Sequence, residues 1–181
     1  FTAGGSVTYT PTANYNGGAT LTLSTLDSAL VTLNIDASLK ARYAFENTGA
    51  LGTDTSPASG FPGTVSGVTA VNDGTRGNVL SMAGAGSVQT TGHYGNPANV
   101  TLAAWVNLTT ADSGGAEVIS LGDSVALRMD ATYAGWGLVG SIYNGSGWVA
   151  INHSVTLAGT GWHHVAYSFN DAGDVATLYL D

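Results

Sequence analysis

Residues 162–181 constrain the fold most. Trp162-His163-His164-Val165-Ala166-Tyr167-Ser168-Phe169 and Val175-Ala176-Thr177-Leu178-Tyr179-Leu180-Asp181 are runs rich in β-branched and aromatic residues, separated by Asn170-Asp171-Ala172-Gly173-Asp174. Two such runs around a short Gly-containing polar turn predict an antiparallel hairpin. Val165, Tyr167 and Phe169 fall on one face of the first strand, and Trp162, His164 and Ala166 on the other. Both faces are largely apolar, so the strand is expected between neighbours inside a sheet.

The same period of two runs back through the chain, and no helical period competes with it. Val7–Pro11, Ala19–Leu23 and Val31–Ile35 read as strands around Asn-Gly-Gly turn chemistry, with Leu39–Phe45 following after a gap. Gly63–Val68, Val79–Ala83 and Ser87–Thr91 come next, each bounded by Gly, and then Val100–Leu108. Glu117–Leu121, Val125–Met129, Gly137–Tyr143 and Trp148–His153 complete the series. Short strands at even spacing with Gly, Asn and Asp between them predict an all-β, two-sheet antiparallel sandwich. Trp105 and Trp162 are expected to fill the space between its sheets, given the apolar area an aromatic side chain buries.

Charge and composition narrow the function classes. Twelve acidic residues against four basic ones leave a net charge of -8, which argues against a nucleic-acid-binding surface. The 44% hydrophobic content is ample for a core. No apolar run approaches the roughly 18 residues that would cross a bilayer, so no membrane insertion is expected. Scarce Lys with plentiful Thr, Ala, Gly, Asn and Ser leans towards an exported, extracellular protein of a bacterial surface. The lack of Cys excludes no compartment.

Catalytic chemistry is thin. A glucanase needs two carboxylates facing across a cleft, and no Glu-x-Asp-x-Glu string is present; Glu117 and Asp123 stand across a Gly, and Asp112 belongs to a loop. No Gly-x-Ser-x-Gly segment suggests a hydrolase elbow. His163 and His164 are adjacent and point to opposite faces of a strand, so they cannot share a metal, and His93 and His153 lie far apart in sequence. The chain is therefore expected not to be an enzyme. Sugar recognition needs only flat aromatic faces for C–H stacking and polar groups for hydroxyls. Tyr133, Trp136, Tyr143, Asn144, Trp148 and Asn152 supply both within one stretch and form the expected ligand site. The alternative is that Trp136 and Trp148 flank a hairpin turned at Asn144-Gly145-Ser146-Gly147 and merely cover the sheet.

Two resemblances sharpen these expectations. Leu39-Lys40-Ala41-Arg42-Tyr43-Ala44-Phe45 with its Asn loop and Asp54-Thr55-Ser56, the Trp105-Val106 strand, and Trp-His-His-Val-Ala-Tyr before the closing Leu-Tyr-Leu-Asp resemble the laminin-G-like, or concanavalin A-like, jelly-roll domains. The resemblance covers about residues 37–181 and implies a domain incomplete at its C-terminus. Val7-Thr8-Tyr9-Thr10-Pro11 through Asn14-Tyr15-Asn16-Gly17-Gly18 to Leu23 is similar to the closing half of cadherin-like repeats of large bacterial adhesins, so residues 1–36 are expected to be the tail of such a repeat. The chain thus reads as a fragment cut at both ends.

The laminin-G resemblance implies calcium at the sandwich rim, held by Asp54 and Asp181 with Glu46 and Asn47 nearby. The cadherin-like resemblance implies calcium at the join as well, near Asp27 and Asp36, and neighbouring β-sandwich repeats as partners. Together they imply a non-catalytic module that binds carbohydrate or another ligand, acting in cell adhesion on a cell-surface glycan. The alternative is an accessory or structural module of an exported carbohydrate-active enzyme.

Overall fold

The computed structural model describes residues 39–90, 97–110, 116–122, 124–130 and 137–181. The expected repeat tail at 1–36 lies outside them. The chain divides into two compact units, one holding residues 39–90 and the other residues 97–181. Among the described residues every strand pairing is antiparallel. The helical content among the described residues is one 3-10 turn, and no described helix is long and apolar enough to cross a membrane.

In the first unit, β1 (Gly63–Asp73) and β2 (Gly77–Thr90) form one long hairpin. The expected breaks at glycine are not there. Gly84 and Gly86 lie inside β2, and the register shifts between Ser66 and Val68 at Gly67, which has φ of 64°. A Cβ on Gly86 would stand 2.6 Å from the carbonyl oxygen of Gly67, so glycine here allows a bulge and a close crossing of two backbones. Asp73 closes the hairpin, its Oδ1 accepting from the N–H of Thr75 at 3.1 Å and of Arg76 at 3.0 Å.

Leu39–Phe45, expected as a strand, is not one. The Arg42 N–H donates to Asp54 Oδ1 at 3.0 Å instead of to a ladder, and its carbonyl accepts from Thr55 N at 2.7 Å and Thr55 Oγ1 at 3.1 Å. Phe45, at φ of 60°, leaves extended conformation altogether.

The second unit holds β3 (Asn99–Asn107), β4 (Ala116–Ser120), β5 (Val125–Met129), β6 (Leu138–Tyr143), β7 (Trp148–His153), β8 (Trp162–Asn170) and β9 (Val175–Leu180). They form two sheets, ordered β3-β8-β9 and β4-β5-β6-β7. The strand whose two faces are both apolar, β8, is the central one, as its pattern predicts. Leu102, Val165 and Tyr167 from one sheet meet Val125, Leu127, Met129 and Leu138 from the other, with Leu157 from the β7–β8 connection. This is a two-layer sandwich, and each fully buried side chain of this size contributes about 1.5–3 kcal/mol.

A specific fit joins the layers. Tyr167 is 1% exposed, and a Cβ on Gly140 of β6 would overlap its ring. The aromatic side chain therefore rests on bare backbone. Burial also pushes the Tyr167 phenol above its ordinary pKa.

Trp105 and Trp162 do not fill the core. Leu102 and Val106 of β3 point between the sheets, so alternation turns Trp105 outward. Trp162 lies opposite Asn107, on that same outer face. Both are half-buried, and Trp105 stands edge-on to His164 with ring centroids 5.2 Å apart.

Candidate functional site

The β6–β7 hairpin carries the clearest exposed chemistry. Tyr143 and Trp148 are its last paired residues, and the loop between them is closed by Asn144. The Asn144 N–H donates to the Gly147 carbonyl at 3.0 Å, while its Oδ1 accepts from Ser146 N and Gly147 N, each at 3.0 Å. Gly145 follows at φ of 91°, a conformation that favours glycine. The Asn144 side-chain oxygen thus shapes the turn and places the two rings.

Those rings are 45% and 50% exposed, on a hairpin whose second strand is at a sheet edge among the described residues. Their centroids are 5.7 Å apart and their planes meet at 64°. One ring offers a face and the other a wall, which suits the C–H surface of a single sugar ring better than a flat crystalline array. Trp148, Ala150 and Asn152 share a face of β7, and all three are exposed. Tyr143, Asn144 and Trp148 are brought together; Tyr133 and Trp136 lie outside the described residues.

The sequence reading missed a residue on this same face. The ladder aligns Glu117 of β4, Arg128 of β5, Val139 of β6 and Asn152 of β7 in one row across the sheet. Arg128 is the cation of that row. The signal was present in Val-Ala-Leu-Arg-Met, where alternation sends Val125, Leu127 and Met129 into the core and Arg128 to the opposite face.

The expected metal ligands each have local partners. Asp54 is buried, with Oδ1 accepting from Arg42 N at 3.0 Å and Ser56 N at 2.9 Å, and Oδ2 from Phe61 N at 3.1 Å. Burial alone would raise its pKa, but these backbone donors and the Ser56 side chain outweigh it and hold the carboxyl below its ordinary value. Glu46 Oε2 accepts from Asn78 N at 3.2 Å, and Asn47 Oδ1 from Gly49 N at 3.2 Å. Asp181 belongs to the other unit. Its Oδ2 is 2.7 Å from His163 Nδ1 and its Oδ1 accepts from His164 N at 2.9 Å, contacts that lower its pKa, the His163 bond first.

His163 Nε2 is in turn 2.8 Å from Thr160 Oγ1, whose single proton goes to the Leu157 carbonyl at 2.6 Å. The trio ties the β7–β8 connection to Asp181. It is a clasp between that connection and the end of β9. Among the described residues, no group of three or more His, Asp or Glu side chains is placed to hold a metal ion. Each of the four donors expected for calcium has a hydrogen-bond partner of its own.

No curated protein and no solved structure gives a significant match to the chain. A family-level comparison matches residues 82–181, more than half of it, to the concanavalin A-like lectin/glucanases superfamily. That span begins within β2 and takes in every strand of the two-layer sandwich. The chain belongs to the concanavalin A-like lectin/glucanases superfamily.

Proposed function

We propose that this chain is a non-catalytic carbohydrate-binding module of a bacterial surface adhesin, acting outside the cell on a glycan. The observation that carries the reading is the exposed Tyr143–Trp148 pair, held edge-to-face by a hairpin whose turn is braced by Asn144. Exposed aromatic side chains of this size cost solvation free energy unless a ligand covers them, and a sugar ring offers an apolar face of matching size. Calcium enters this proposal as an ion attracted by the excess of acid over base, and no bound geometry is assigned to it.

A glycan array followed by calorimetric titration of the strongest hits tests the proposal. Trp148→Ala should weaken binding by about tenfold or more, since it removes most of one stacking surface. Its melting temperature should stay close to that of the parent, because Trp148 lies outside the buried core. Undiminished binding in both Trp148→Ala and Tyr143→Ala would remove this hairpin as the site.

A further inference from the structure

The turn that braces the aromatic pair also holds the parts of a reaction on itself. Asn144 is followed by Gly145, and among the described residues it is the one asparagine followed by glycine. Attack of a glycine backbone nitrogen on the preceding asparagine Cγ is the least hindered form of this ring closure, because no side chain stands beside the nucleophile. Here the Gly145 N–H has no hydrogen-bond partner among the described residues, and a Cβ on Gly145 would meet nothing within 4 Å. Asn144, Gly145 and Ser146 are all exposed, so water reaches the ring once it has formed.

The electrophile is prepared as well. Attack at Cγ places negative charge on Asn144 Oδ1, and the backbone N–H groups of Ser146 and Gly147 already address that oxygen, each at 3.0 Å. Donors about 2.7–3.1 Å from a developing oxyanion are the arrangement that stabilises acyl-transfer intermediates in enzymes. The leaving group, Asn144 Nδ2, has no hydrogen-bond partner among the described residues to hold it. Other asparagines brace turns without this combination. Asn47 Oδ1 accepts from one N–H, of Gly49, at 3.2 Å, and Thr48 follows it. Asn170 Oδ1 accepts from Gly173 N at 3.2 Å, and the next N–H, of Asp171, is already given to the Ala98 carbonyl at 2.8 Å.

We propose that Asn144 is a self-modification site: the turn promotes its own deamidation to isoaspartate, which unlocks the Tyr143–Trp148 pair. The Gly145 nitrogen bonds to Asn144 Cγ, the Cγ–Nδ2 bond breaks, and the Gly145 N–H proton leaves with Nδ2 as ammonia. Water then opens the succinimide, and where it adds at the former Asn144 main-chain carbonyl the chain runs on through Cγ as isoaspartate. That puts an extra methylene into the main chain between Tyr143 and Trp148 and a carboxylate beside them. The closure that sets the two rings 5.7 Å apart is then lost. The fall in glycan affinity that follows rests on the carbohydrate-binding reading; the modification itself does not.

The test incubates the whole chain in mildly alkaline buffer, folded in one sample and unfolded in guanidinium chloride in the other, with isoaspartate located by electron-transfer mass spectrometry. Asn144 should be lost about tenfold faster in the folded chain, through its two N–H donors, and Asn47 and Asn170 should lag far behind it. Ser146→Pro, which deletes one donor, should bring the folded rate down towards the unfolded one, with circular dichroism confirming that the fold is kept. Equal or slower loss in the folded parent, or Asn47 or Asn170 keeping pace with Asn144, overturns the inference.

Calorimetric titration of cello-, xylo- and manno-oligosaccharides against fresh and aged protein reads the consequence. Affinity should fall in step with the isoaspartate fraction and recover after treatment with protein isoaspartyl methyltransferase, which returns the normal backbone as aspartate. Affinity indifferent to ageing overturns the unlocking. Binding of none of these sugars by fresh protein counts against the carbohydrate-binding reading and leaves the modification standing on the mass spectra.

Discussion

Asp54 shows how a single carboxylate can hold a stretch that has no ladder. Its two oxygens gather the N–H groups of Arg42, Ser56 and Phe61, pinning together three points separated in sequence. Because its pKa is held below the ordinary carboxylate value, its contribution is fully present above the unfolded value of about 4 and fades as pH falls through the lower, folded value. The melting temperature should therefore drop between pH 5 and pH 3, and Asp54→Asn should flatten that drop while lowering stability at pH 7 by about 1–3 kcal/mol. An unchanged acid limb in the variant would remove Asp54 from this role. The Asp-x-Ser string was legible in the sequence as a special position. Its use was not, because a run of N–H donors converging on one side chain depends on loop geometry that residue types do not encode.

At the scale of elements, reading was best where alternation and turn chemistry agreed. Val125–Met129 and Trp148–His153 appear with the bounds that period-two patterning suggested: Gly122 and Gly147 stand before them, Val125, Leu127 and Met129 face the core, and Ile151 packs against it. It failed at β2, where Gly84 and Gly86 look like punctuation but serve a bulge inside a continuous strand, and at Leu39–Phe45, where alternation is present but no strand among the described residues takes up the hydrogen bonds. The tryptophans were misplaced for a related reason. Size favoured burial, whereas the register of β3 and β8 assigns the inward positions to Leu102, Val165 and Tyr167. Leu127→Ala should accordingly cost about 2–5 kcal/mol in denaturant unfolding, as expected for truncation at a fully buried site. Trp162→Ala, on the outer face, should cost less than Leu127→Ala, and the reverse order would mean that the core has been located wrongly.

For the whole molecule, an acidic surface sets the response to ions. Millimolar calcium should raise the melting temperature by screening the net charge of -8, and magnesium at matched ionic strength should do nearly as well. Asp54→Ala should leave that gain in place, since its carboxylate faces backbone donors; loss of a calcium-specific gain in the variant would show Asp54 to be a ligand. The aromatic half of the candidate site was legible because exposed Tyr and Trp beside an Asn-Gly turn stand out in any sequence. Arg128 was not, because only the ladder shows that it shares a face with Trp148. Gly140 adds a consequence for inheritance. The ring of Tyr167 works as a key whose slot is the one β6 residue without a side chain, so sliding β6 by two residues would bring Leu138 or Ile142 under the ring. The position of the Tyr143–Trp148 pair at the rim is therefore dictated from inside the core. A lineage that loses Gly140 should lose its grip on the glycan even with both rings conserved, and Gly140→Ala, assayed for sugar affinity in parallel with stability, should reproduce that loss.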